Sequence, residues 1–158
     1  MWSSRRGILL GAVALGACGF TPIYGPGGGE ALWGAIRAED PSDTESFAFV
    51  QAFEARLGLP ASARFRLTYE IEVTETGQAI TGSNDITRFT VDGIVRYQLF
   101  AISAEAPLLS GEVQSFTSYS AGGSTLATLS AQRDARARLM RILAEQISTR
   151  LLAASALR

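Results

Sequence analysis

The sequence has no histidine, no lysine and only one cysteine. Without histidine it loses the commonest general base, the commonest metal ligand and the usual partner of a serine or cysteine nucleophile. Without lysine the serine–lysine arrangement goes too, and all 14 basic residues are arginines. One cysteine can form neither an internal disulfide nor a cysteine-rich zinc site. Ser115, Ser118, Ser120 and Ser124 therefore have nothing to activate them. The expectation is a protein that is not an enzyme and holds no metal or cofactor. Neither charge sign is in excess, with 15 acidic residues against the 14 arginines and a net charge of −1. A concentrated basic surface is what nucleic acid requires, so nucleic acid is not an expected partner.

Long hydrophobic runs are also missing. A membrane-spanning helix needs roughly 20 residues. The apolar stretch from Gly7 to Leu15 is far shorter. It follows Arg5 and Arg6 and runs into Leu15-Gly16-Ala17-Cys18. A positive start, a short apolar middle and small residues at the end make a secretory leader. The Leu-small-small-Cys ending resembles the bacterial lipobox. That resemblance implies removal of residues 1–17 and a mature chain starting at Cys18, with diacylglycerol on its sulfur and an acyl group on its nitrogen. The protein would then touch a membrane through its lipid anchor only. Each buried CH₂ adds about 0.8 kcal/mol, so two or three chains hold firmly. Loss of the leader with Arg5 and Arg6 would leave 12 basic against 15 acidic residues, a balance of −3. Gly19, where an aspartate tends to retain such proteins at the inner membrane of enteric-type bacteria, points to the outer membrane.

Residues 18–30 read as a tether, because Pro22, Pro26 and Gly27-Gly28-Gly29 break regular structure. No Gly-Lys-Ser/Thr follows the glycines, so a phosphate-cradling loop is not indicated. Tyr24 and Trp33 suit either a lipid interface or contact with a core or partner.

Residues 31–158 form one domain of a size that can bury a modest core. A first strand is expected over 31–39. Pro41 ends it, and Ser42 or Thr44 is placed to cap a helix over about 45–57. Phe49, Val50, Phe53 and Leu57 give that helix one apolar face. From 64 to 75 the alternation is strict: Phe65, Leu67, Tyr69, Ile71 and Val73 on one side, Arg64, Arg66, Thr68, Glu70, Glu72 and Thr74 on the other. Gly77 is expected to start a turn. A second long strand covers 86–102, with Phe89, Val91, Val95, Tyr97 and Leu99 on one face and Arg88, Thr90, Asp92, Arg96 and Gln98 on the other. Gly93 interrupts the apolar face and is read as a bulge or bend. A third strand covers 108–120, with Leu109, Val113 and Tyr119 inward. From Thr125 to about Ala154 the period becomes helical, with Ala135, Leu139, Ile142, Leu143, Ile147 and Leu151 as the apolar stripe and Arg133, Arg138, Arg141, Glu145 and Ser148 opposite. The fold class is α+β: a two-layer sandwich in which a four-stranded, mostly antiparallel sheet carries a short first helix and a long C-terminal helix on one face. The other sheet face is left polar.

Glu70, Glu72 and Glu75 resemble a carboxylate cluster. Acids that cleave glycosides must face each other across a cleft, whereas these follow one another along a strand, so a solvated surface is expected. Arg64, Arg66, Arg88 and Arg96 fall on the polar strand face. Arginine forks hold phosphates and carboxylates, which makes them candidate contacts for an anionic lipid, against the plainer reading of a wet face balanced by Glu70, Glu72 and Asp92.

Cys18-Gly19-Phe20-Thr21-Pro22-Ile23-Tyr24-Gly25 resembles the mature start of the lipopolysaccharide-assembly lipoprotein family LptE in its alphaproteobacterial form. The "FRLTYEIEV", "TRFTVDGIVRYQLF" and "GEVQSFTSYS" strands and the "LATLSAQRDARARLMRILAEQISTRL" helix extend the resemblance over nearly the whole chain. It implies an outer-membrane, periplasm-facing, non-enzymatic protein that pairs with the β-barrel LptD. There it would act as plug and assembly factor, and would contact lipopolysaccharide bound for the outer leaflet. No basic motif of the enteric homologues can be matched here, so Arg88 and Arg96 are candidates by chemistry alone. The rival is an auxiliary lipoprotein of a phospholipid or ABC-type transport system, which also has a lipobox and a small α+β domain.

Overall fold

A computed structural model describes residues 32–80 and 86–156. Cys18, Tyr24, the leader and the tether lie outside the described residues. The elements run β1 (Ile36–Ala38), α1 (Thr44–Leu57), β2 (Phe65–Ile80), β3 (Ile86–Ala101), β4 (Leu109–Ser120) and α2 (Thr125–Ala156). The strands lie side by side in chain order in one sheet. β1 runs parallel to β2, and the other neighbours are antiparallel. Both helices pack on one face, giving the expected α+β sandwich.

The core follows from strand alternation meeting helical period. Leu67, Val91, Val95 and Val113 point from the sheet and are at most 1% exposed, against Phe49, Phe53, Leu139, Leu143 and Ile147 from the helices. Phe49 lies against Tyr69, with ring centroids 4.9 Å apart.

The molecule has two ends. The starts of β1, β2 and β4 and the ends of β3, α1 and α2 meet at a base, where the described chain begins. The β2–β3 hairpin and the start of α2 form the tip. A strand rises about 3.3 Å per residue, so the two longest strands, β2 and β3, are each roughly 50 Å long.

Several expectations change. β1 is shorter than 31–39, because residues 32–35 form a turn in which Gly34, at φ 62°, donates to the Leu57 carbonyl at 2.7 Å. The α1 cap is Asp43, not Ser42 or Thr44. Its carboxylate accepts from Ser46 N at 2.7 Å, and the Ser46 hydroxyl accepts from Asp43 N at 2.9 Å. β2 does not turn at Gly77 but continues to Ile80 through register shifts around Ala79, held by β3 alongside. Gly93 is neither bulge nor bend, for its register with Val73 and Ser115 is unbroken. It gives α2 room: a Cβ there would lie 2.9 Å from Leu139 Cδ2 and 3.0 Å from Leu143 Cδ1. On α2, Ser148 is fully buried and donates to the Ala144 carbonyl at 2.8 Å, while Ile142 is 37% exposed. The buried arc is wider than one stripe and is displaced toward Met140, Ala144 and Leu152, since α2 covers the sheet and also packs beside α1.

Candidate interaction surface

The sheet face away from the helices carries the predicted polar residues in rows set by strand register. From the base upward these are Arg37–Arg66–Phe100, then Thr68–Gln98–Ser110, Glu70–Arg96–Glu112, Glu72–Ile94–Gln114, Thr74–Asp92–Phe116 and Thr76–Thr90–Ser118, with Arg88 beside Ser120 near the tip. Glu70 and Glu72 are exposed on this face, as a solvated surface requires.

The four candidate arginines do not gather into one patch. Arg66 pairs with Phe100, so Arg96 lies two rows above it and Arg88 four rows above Arg96. At the rise of a strand those steps are roughly 13 Å and roughly 26 Å. Three of the four are occupied differently. Arg96 is held between two carboxylates, with Nη1 3.5 Å from Glu72 and Nε 3.0 Å from Glu112. All three side chains are half exposed, so such pairs add little stability. Arg66 lies 4.6 Å over the Phe100 ring and so shields an aromatic on the open face. Arg64 precedes β2, and its guanidinium is 5.7 Å from the Phe65 ring. The sequence reading missed Arg37, which only the parallel β1–β2 register places opposite Arg66. A shallow groove of about 590 Å³ crosses this face beside Arg96, lined by Thr68, Glu70, Gln98, Ser110 and Glu112. Nearer the tip, Phe116 stands 68% exposed beside Asp92, Ile94 and Gln114.

Glu75 does not join Glu70 and Glu72. It has the odd-numbered parity of Phe65–Val73 and faces the helices, a signal already present in the period of two. There it accepts from Tyr119 Oη at 2.5 Å, Gln132 Nε2 at 2.9 Å and Arg136 Nη2 at 3.2 Å. Arg136 Nη1 donates to Glu45 of α1 at 2.8 Å, so one guanidinium ties β2, α1 and α2 together. Burial pushes Glu75 up, but the bonds from Tyr119, Gln132 and Arg136 prevail and hold its carboxyl below the usual range. Burial and the neighbouring Glu75 push the Tyr119 phenol up to about 12. The bond to Glu45 raises Arg136 further, so it stays charged.

The free edge of β4 is also managed. Arg138 donates to the Ser118 carbonyl at 3.3 Å, and Arg150 donates to the Glu112 carbonyl. Two arginines from α2 thus cap backbone groups that could otherwise pair with another chain.

Among the described residues no group of acidic residues is placed to hold a metal ion, and no helix is long and apolar enough to cross a membrane. Glu75 is saturated by donors, and Glu72 is paired with Arg96.

No family model matches the chain, and no curated protein matches it. Solved structures do. A candidate lipoprotein from Caulobacter crescentus CB15 aligns with a TM-score of 0.68 at 16% identity, over 81% of this chain and 96% of that one. An uncharacterized lipoprotein B from Nitrosomonas europaea aligns at 0.56 and 12% identity, over 77% and 83%. Rare lipoprotein B from Shewanella oneidensis aligns at 0.53 and 10% identity, over 77% and 92%. The chain thus shares its fold, over most of its length, with bacterial lipoproteins.

Proposed function

We propose that this chain is a non-catalytic outer-membrane lipoprotein. It is made with a leader of residues 1–17, is acylated at Cys18, and partners the LptD β-barrel as plug and assembly factor in lipopolysaccharide transport. The open sheet face carries this reading. It is a broad, mostly polar surface backed by a rigid helical layer, and the lumen of an outer-membrane barrel is polar. The lipobox-like leader, the Cys-Gly-Phe-Thr-Pro segment and the fold shared with lipoproteins support it. Arg64 and Arg66 near the base, with Arg88 and Arg96 above them, are the groups whose chemistry suits lipid phosphates. Their spacing favours successive separate contacts over one binding pocket.

Purification of tagged chain from outer membranes tests the reading. A large β-barrel should co-purify, and depletion of the chain should leave that barrel misassembled and lower surface lipopolysaccharide. Capture of transporter components without a barrel, with barrel assembly normal on depletion, would favour the transport-system alternative.

A further inference from the structure

The base of the domain carries an apolar cluster that the fold leaves uncovered. Trp33 is 63% exposed, Leu59 73% and Ile102 58%. Backbone contacts hold them together. Gly34 bonds to Leu57, and a Cβ on Gly58 would lie 2.9 Å from the Trp33 ring. Arg64 donates to Ala35 and accepts from Ile102 N, which ties the two sides of the base to one another. Phe47, 60% exposed, lines the same trough as Leu59. Leu126 and Leu129, at the tip end of α2, are 77% and 43% exposed but sit on one helix start, whereas Trp33, Leu59 and Ile102 come from three separate segments of the base.

We infer that this base is a lipid-docking surface, seated on the bilayer that holds the anchor. The inference rests on the acylated Cys18 of the proposed function. Only residues 19–31 separate Cys18 from Leu32. So short a segment spans at most roughly 50 Å even fully extended. The segment enters the domain at the base, so the base is the end held nearest the anchor. Trp33 has the amphipathic ring that settles at a water–lipid boundary, and Leu59 and Ile102 supply apolar area beside it. Charge does not drive the contact. Arg37, Arg56, Arg64 and Arg66 at this end are matched by Glu39, Asp40, Glu54 and Glu105. Docking should therefore withstand raised salt.

The leader removes Trp2, so Trp33 is the single tryptophan of the mature chain and reports on its own surroundings. The lipidated protein is placed in phosphatidylethanolamine–phosphatidylglycerol vesicles containing lipids brominated high in the acyl chain. Quenching of Trp33 is expected at low and high salt alike. Leu59→Asp with Ile102→Asp should abolish most of it while circular dichroism stays unchanged. Wild-type emission untouched by brominated lipid overturns the inference, whether Trp33 remains open to a water-soluble quencher or is shielded by a second copy. Intact mass separates the two readings. An unacylated Cys18 defeats the anchor and the docking with it, whereas acylation without quenching defeats the docking alone.

Discussion

Gly93 shows how one missing side chain sets the distance between two layers. A Cβ there would intrude on Leu139 and Leu143, both of them fully buried, so neither can move toward solvent. Gly93→Val should lower stability by about 1–3 kcal/mol, the usual cost of overpacking, measured as a shift in the denaturant midpoint. Adding Leu139→Ala should cost less than the two changes summed, because one makes the room the other needs. Tyr119 offers a test in pH. The folded protein keeps the phenolic proton up to about 12, against 10.0 for an unperturbed tyrosine. The unfolded chain releases it first, so this stabilisation is complete below about pH 10 and disappears as pH rises toward about 12. Tyr69, also raised by burial and by Glu39, acts in the same direction. Tyr119→Phe should cost roughly 1–2 kcal/mol at neutral pH and flatten the alkaline fall, leaving the share from Tyr69. The carboxylate side has the opposite sign. Glu75 is depressed below 4.5, so its contribution is full above that value and fades as pH falls through the lowered one.

At the scale of elements, the first turn of α1 depends on Asp43. The backbone N–H of Ser46 holds its carboxyl below the usual range. Asp43→Ala should cost about 1 kcal/mol, seen as a lower thermal midpoint with β-sheet content unchanged. The neighbouring Ser42 and Thr44 had equally good side chains for capping. What selects Asp43 is the position at which β1 releases the chain, which is a tertiary fact. The two long strands and α2 were legible because their apolar residues repeat over many positions, and register did the rest. β1 was only partly legible, since so short a strand carries little period and its partner comes only after the whole of α1. For the same reason Arg37 was missed beside Arg66. Ser148 and Ile142 were misplaced because the sequence of one helix does not tell how many neighbours flank it. Gly77 read as a stop because glycine usually punctuates strands, but the opposing β3 supplied the hydrogen bonds that carried β2 past it.

At the scale of the molecule, the proposed barrel contact has an aromatic candidate in Phe116, which stands exposed beside Ile94 on a mostly polar face. Aromatic anchors carry much of the energy of protein interfaces. Phe116→Asp should weaken barrel capture roughly tenfold, while thermal stability stays within about 0.5 kcal/mol of the parent chain. A fall in stability of the isolated chain would instead make Phe116 a packing residue. The arginines at the β4 edge bear on the same question. With Glu112 and Ser118 already accepting from α2, the sheet meets a partner through its face more readily than through the β4 edge. The parallel pairing of β1 has a mechanical consequence. Any pull on the chain from its N-terminal side reaches the domain at β1, whose start lies at the base beside the start of β2. A load along the strand then bears on the bonds joining Ala35 to Arg64 and Phe65, and Glu39 to Leu67, at the same time. An antiparallel hairpin pulled from its open end would lose its bonds one after another. So short a strand in shear is a modest grip, but its bonds share the force, and a domain held by its first strand, as the proposed anchor would hold it, resists being drawn out thread by thread.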